Sequence, residues 1–275
     1  MSTPPPQAAT YPWLWNAVPL LAGLLDLVMG LAGLLGGLVR PLRVPSRADT
    51  PARRRRGITF VLGGIEGPSR HNVCMCLGVL ASGERGSVVR FHWNRGIPIV
   101  RALNNQINRR HHERQSDALV DAIVDYRKAH PHAPISLLAQ SGGCWITVRA
   151  LERLPAGVRV RTAVLLCPAL SPSYDLHRAA EQCDHALVSV GGPGDFILLG
   201  FGTTIFGTSD RRHTPAAGWI GWHHHPPKFV ELRWCPAWVR HGYLGNHVST
   251  SAIGFIRSVI APWLKARTTV HAGPT

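Results

Sequence analysis

Residues 135–143 read Ile-Ser-Leu-Leu-Ala-Gln-Ser-Gly-Gly, an apolar run that ends in a Ser set among small residues. No other stretch constrains the fold as much, because a Ser at the junction of a strand and a helix demands a sharp, strained turn. Strand and helix approach closely there only if the positions two before and two after the Ser carry almost no side chain. Ala139 and Gly143 meet that demand. Ala exceeds the more usual Gly by one methyl, which an extended backbone accepts. Pro134 opens the strand, and Trp145, Val148, Leu151 and Leu154 recur at the spacing of one helix face. Ser141 is therefore a candidate nucleophile on a strand-to-helix elbow. The competing reading is a Gly-rich turn in an ordinary α/β domain.

A Ser hydroxyl is a poor nucleophile unless a His takes its proton and a carboxyl group orients that His. Both types occur downstream in suitable places. After a predicted strand over 186–190 comes Gly191-Gly192-Pro193-Gly194-Asp195, which puts an acid in a loop past a strand's C-terminal end. After another over 229–234 comes Tyr243-Leu244-Gly245-Asn246-His247, leading into a helical stretch over 248–264. Rival residues fit less well. Asp184 precedes its strand, and Asp210 stands beside Arg211 and Arg212, where a surface ion pair is expected. His241 lies nearer its strand and stays open as an alternative base, although His247 directly precedes the helix.

On these residues the chain resembles the α/β-hydrolase family, over about residues 57–266. The resemblance implies an α/β fold, a mostly parallel sheet flanked by helices, in a small version without a cap domain. It implies Ser141 as nucleophile, His247 as general base and acid, and Asp195 as the residue that orients His247. An oxyanion hole is implied as well, with donors aimed at the charge that develops on the carbonyl oxygen. Gly142, following the nucleophile at a helix N-terminus, supplies one N–H. The second is expected from Gly64 or Ile65 in the loop Gly63-Gly64-Ile65-Glu66-Gly67, which occupies the place of the family's His-Gly loop. That loop lacks the Gly-Lys-Ser/Thr of a Walker phosphate site.

No cofactor is called for. His223-His224-His225 invites a metal reading, but adjacent imidazoles point in different directions and no acid or Cys lies at ligand spacing in sequence. A polar loop near the mouth of the site, with Trp219 and Trp222, is the simpler expectation. The six Cys, at 74, 76, 144, 167, 183 and 235, form no Cys-x-x-Cys pattern and read as buried free thiols of a reducing compartment.

Ahead of the catalytic region the chain changes character. Residues 1–16, with Pro4-Pro5-Pro6, read as a disordered tail, and 267–275 as a C-terminal tail. Residues 17–39 are apolar over about 23 positions, with Asp26 as the only charge and nine Leu, which is long enough to span a bilayer. A central Asp costs about 2.5–3.5 kcal/mol on the insertion scale and each Leu returns about 0.3–0.6, so insertion is favoured. An apolar helix packed on the domain is the alternative. Residues 40–56 read as a basic Pro/Arg linker, and the positive charge on that side predicts a single-pass membrane protein with its catalytic domain in the cytoplasm.

The net charge of +15 raises nucleic acid as a partner. Part of the excess is Arg53 to Arg56, whose expected partner is anionic lipid headgroups beside the apolar run. Arg101, Arg109, Arg110 and Arg114 share a His-rich polar stretch before a predicted helix over 118–126, with no aromatic platform or nucleic-acid motif, so no nucleic acid is expected. Two functions remain: a membrane-tethered serine hydrolase that cleaves a small-molecule ester or thioester, and a catalytically silent hydrolase-fold scaffold on the membrane.

Overall fold

The chain alternates apolar side chains with the period of a strand in five separate segments, and each alternation serves two layers at once. Phe60, Leu62, Leu137, Ala139, Ala163, Leu165 and Leu187 belong to one buried cluster. Their neighbours Val61, Leu138, Val164, Leu166, Val188 and Val190 belong to another. A one-residue slip in register would exchange the two sets, at about 1.5–3 kcal/mol for each large side chain that lost its burial. The computed structural model describes residues 28, 42–66, 69–93 and 108–266.

The strands are β1 (Ile58–Leu62), β2 (Ser87–Arg90), β3 (Ile135–Gln140), β4 (Val160–Leu166), β5 (Cys183–Gly191) and β6 (Phe229–Arg233). They form one sheet in the order β2-β1-β3-β4-β5-β6, and every pairing is parallel. Register aligns Leu62 with Ala139, Gln140 with Leu166, Leu166 with Val190, and Val190 with Leu232. The C-terminal ends of five strands therefore lie along one edge of the sheet. In open parallel sheets that edge, outside the strand ends, is where ligands are met.

Helices cover both faces. Helix α1 (Arg70–Ala81) lies with a C-terminal series of short helical turns, and α2 (Arg109–Ala129) packs with α3 (Gly142–Glu152) on the other face. A short helix, α4 (His177–Glu181), precedes β5. This is the architecture that the resemblance to α/β-hydrolases implies.

Several boundaries differ from expectation. Helix α2 begins well before Ala118, because Asn108 caps it by accepting the His111 N–H at 3.0 Å. Arg109, Arg110 and Arg114 thus lie on a helix. The helical stretch over 248–264 is broken into Val248–Ser251, Ile253–Phe255, Ile256–Ile260 and Ala261–Lys265. Extended Ala252 interrupts it once, and Pro262, which has no N–H to give the preceding turn, sits where the last piece begins.

Residues 42–56, expected as a linker, hold turns at Ser46–Ala48 and Pro51–Arg54 against the sheet's edge. Arg53 donates to the carbonyls of Gly86 at 3.0 Å and Glu84 at 2.5 Å, and the Arg54 carbonyl accepts from Tyr126 Oη at 2.6 Å. Arg54 itself pairs with Asp49. The apolar run 17–39 lies outside the described residues except for Val28, and among the described residues no helix is long and apolar enough to cross a membrane.

Candidate active site

Ser141 stands between the last residue of β3 and the first of α3 with φ 54° and ψ −124°. A non-Gly residue in that region is strained by about 1–3 kcal/mol and persists only where its surroundings fix it. Here they do. The Ser141 N–H donates to the Leu166 carbonyl at the end of β4 at 2.9 Å, and its own carbonyl accepts from the Cys144 N–H at 3.0 Å. Gly143 is sterically required, since a Cβ there would come within 2.4 Å of the Gly63 carbonyl oxygen and 3.1 Å of Leu62 Cβ. Ala139 is fully buried between β1 and β4, so its extra methyl is accommodated.

The loop after β1 closes over this elbow. A Cβ on Gly142 would meet Ile65 Cγ2 at 2.6 Å, and one on Gly64 would meet Ser141 Cβ at 3.2 Å. Gly142, Gly64 and Ile65, the three expected oxyanion donors, thus lie around Ser141. Trp93, just past β2, is buried and fixes the loop by donating its indole N–H to the Gly63 carbonyl at 2.8 Å. Sequence reasoning missed Trp93, whose one signal is a large aromatic at a strand's C-terminal end.

Asp195 and His247 come together through two loops joined at the backbone. Gly194 donates to the Gly245 carbonyl at 2.9 Å, an approach so close that a Cβ on Gly192 would lie 2.4 Å from that same oxygen. His247 Nδ1 then lies 2.6 Å from Asp195 Oδ2. Asp195 is 0% exposed. Its other oxygen has no hydrogen-bond partner among the described residues, so His247 is what satisfies this buried acid. His241 instead sits on the turn Pro236–His241, with its Nε2 3.1 Å from Arg240 Nε.

A second residue missed from sequence ties base to nucleophile. Gln140, immediately before Ser141, donates its amide N–H groups to the His247 carbonyl and to Thr250 Oγ1, both at 3.0 Å. Thr250 Oγ1 in turn donates to the His247 carbonyl at 2.7 Å. Cys167 is the third. It follows β4 with φ 45°, and its Sγ, an Asp195 oxygen and a His247 nitrogen all lie within 4.8 Å of one another. Three such groups could meet a metal ion, but the short His247–Asp195 hydrogen bond already engages two of them, which fits an oriented imidazole better.

Other expectations meet mixed outcomes. Asp210 accepts from the Ser171 N–H at 2.8 Å and from the Ser171 hydroxyl at 2.5 Å, which ties its loop to the segment that follows β4. Asp184 ion-pairs with Arg159 at the N-terminal end of β5, opposite the site. His225 does find a carboxyl in space, Glu231 on β6, at 2.8 Å. Trp222 is buried and donates to Ser189 Oγ at 2.9 Å, while Trp219 donates to the Pro193 carbonyl at 3.0 Å beside Asp195. All six Cys are free thiols, and burial pushes the Cys144 thiol well up, which keeps it unreactive.

No protein-family model and no curated protein matches the chain. Among solved structures it is similar to Aspergillus fumigatus lipase B, with 13% identity, a TM-score of 0.48, and coverage of 82% of this chain and 56% of that one. It is also similar to the Pyrococcus furiosus esterase Pf2001, with 11% identity, a TM-score of 0.48, and coverage of 76% and 82%. A third is TT1662 from Thermus thermophilus, with 15% identity, a TM-score of 0.46, and coverage of 77% and 90%. The chain thus spans little more than half the length of the lipase. At these identities the likeness by itself assigns no role to Ser141, Asp195 or His247.

Proposed function

We propose that this chain is a serine hydrolase that cleaves an ester or thioester through an acyl-enzyme on Ser141. The observation that carries the reading is a strained Ser on an elbow whose preceding residue, Gln140, holds the backbone of a His bonded to a buried Asp. In the reaction Ser141 Oγ attacks the acyl carbonyl carbon and its proton passes to His247 Nε2. Asp195 holds the ring through Nδ1 and favours the imidazolium that results. The oxyanion is met by the Gly142 N–H and by an N–H of Gly64 or Ile65. Collapse breaks the bond to the leaving group, which takes the proton from His247. Water then gives a proton to His247 and attacks the acyl carbonyl carbon; the bond to Ser141 Oγ breaks, Oγ takes that proton back from His247, and the acid is released.

The substrate class follows from the surface beside Asp195. Leu198, Phe201, Ile205 and Phe206 are exposed in the helical turns that follow it directly, and an exposed apolar patch at a site entrance suits an apolar acyl chain. The apolar run 17–39 would tether the domain to a membrane, with the domain on the cytoplasmic side. Hydrolysis of p-nitrophenyl esters of increasing acyl length tests the reading: activity should rise with chain length and vanish in Ser141→Ala. A wild-type protein inert toward all of them would favour the silent scaffold.

A further inference from the structure

Cys167 has no part in the reaction just described, yet the fold delivers it to the acid and the base. It directly follows Leu166, whose carbonyl holds the Ser141 N–H, and its own N–H donates to the Val190 carbonyl at 2.7 Å. A φ of 45° turns the chain there, and the fully buried thiol comes within 4.8 Å of both an Asp195 oxygen and a His247 nitrogen. Among the described residues no other three His, Cys, Asp or Glu side chains bring ligand atoms so close together. Cys167 Sγ also lies 3.9 Å from Tyr243 Oη.

A second observation points to a ligand. Asp195 Oδ2 is met by His247 Nδ1 at 2.6 Å, but Oδ1 has no hydrogen-bond partner among the described residues, although Asp195 is 0% exposed. A buried carboxyl oxygen left unpaired is uncommon and needs an explanation. A thiol, an imidazole nitrogen and a carboxyl oxygen suit a three-ligand zinc site, in which bonds of about 2.0–2.3 Å hold the ligand atoms roughly 3.3–3.6 Å apart. Shifts of about 1 Å bring the present group to that spacing. The His247 side chain, 12% exposed, leaves a route in from solvent.

We infer that Cys167, Asp195 and His247 bind a thiophilic divalent cation of the zinc class, and that this cation reversibly switches the hydrolase off. In the active enzyme Nδ1 carries the proton that joins His247 to Asp195, so the cation is that proton's competitor. On binding it takes a lone pair from Cys167 Sγ, from an Asp195 oxygen and from His247 Nδ1. The thiol proton passes to solvent, and the neutral ring keeps one proton, now on Nε2. Nε2 then has no lone pair for the Ser141 proton, and the nucleophile is not activated. The thiolate selects zinc-like cations over magnesium and calcium, which favour oxygen ligands. The loss of activity rests on the proposed role of His247 as base; the cation site does not.

Two readouts on the full chain test the inference. Zn²⁺ titrated against hydrolysis of a p-nitrophenyl ester should inhibit wild type and be reversed by EDTA, while Mg²⁺ at the same concentration should leave the rate unchanged. Cys167→Ser should need at least about tenfold more Zn²⁺, since losing a ligand costs at least what losing a ligand's hydrogen-bond partner does. Independently of any reaction, one equivalent of Cd²⁺ added to Ser141→Ala should give a thiolate-to-metal absorption band, lost when Cys167→Ser is combined with it. Cys167→Ala takes the place of Cys167→Ser if the latter fails to fold. Equal inhibition in folded Cys167→Ser, or a Cd²⁺ band that is absent or that survives the loss of Cys167, overturns the inference. Absence of ester hydrolysis in wild type would count against the Ser141 reading instead, and the Cd²⁺ band would still decide whether the cation site exists.

Discussion

His247 Nδ1 lies 2.6 Å from Asp195 Oδ2, although 52 positions of sequence separate them and each sits in a loop of its own. The contact depends on backbone more than on side chains, because Gly192, Gly194 and Gly245 let the two loops touch. If this pair orients the base, Asp195→Asn should leave the fold intact and favour the wrong imidazole tautomer. Steady-state hydrolysis should then fall by about 10³–10⁴ with little change in KM. A loss below tenfold would remove Asp195 from the mechanism.

The strain at Ser141 makes a stability prediction that is separate from catalysis. With φ 54° and ψ −124° the position suits Gly. Ser141→Gly should therefore be more stable than Ser141→Ala by about 1–2 kcal/mol in chemical denaturation. Both variants lack the hydroxyl and should be inactive. Equal stability would mean that the elbow is relaxed in solution.

Two groups near the site make stability depend on pH with opposite signs. His71 is held below its ordinary value of 6.5, chiefly by burial. A base depressed in the folded state contributes stability that is full above 6.5 and is lost as pH falls from there through its folded value. Glu66, raised above 4.5 by burial, binds its proton more readily when folded, so it costs stability as pH rises through its own window. Melting temperatures measured from pH 7 to pH 5 should drop less in His71→Gln than in wild type. Parallel curves would show that His71 carries no such linkage.

Topology gives a fourth prediction. A C-terminal reporter that works only in the cytoplasm should be active on the full chain, and one that works only outside should be silent. Arg43 and Arg47 remain available to flank the apolar run, whereas Arg53 and Arg54 are engaged with Gly86, Glu84 and Asp49. The opposite reporter pattern would reverse the orientation.

The parts of this site that were legible in sequence are those set by local geometry. An elbow needs small residues at fixed offsets, so Ser141, Ala139 and Gly143 stand out, and Asp195 and His247 could be found because each follows a strand. Gln140, Trp93 and Cys167 were illegible because their partners, His247, Gly63 and Asp195, are supplied by other elements. Sheet register brings them together, and no sequence spacing records it. Helix α2 was underestimated for a related reason: its buried Leu119, Ile123 and Tyr126 lie in the second half, while its polar start is held by the Asn108 cap. The Pro- and Arg-rich stretch 42–56 reads as unstructured until the carbonyls of Gly86 and Glu84 are seen to receive Arg53.

Covalent labelling by a fluorophosphonate probe tests the central claim most directly, because it requires an activated Ser and no knowledge of the substrate. Wild-type protein should be labelled at Ser141, with labelling abolished in Ser141→Ala and slowed by at least about a hundredfold in His247→Ala. Labelling that persists in Ser141→Ala, or a folded wild type that never reacts, would contradict the account.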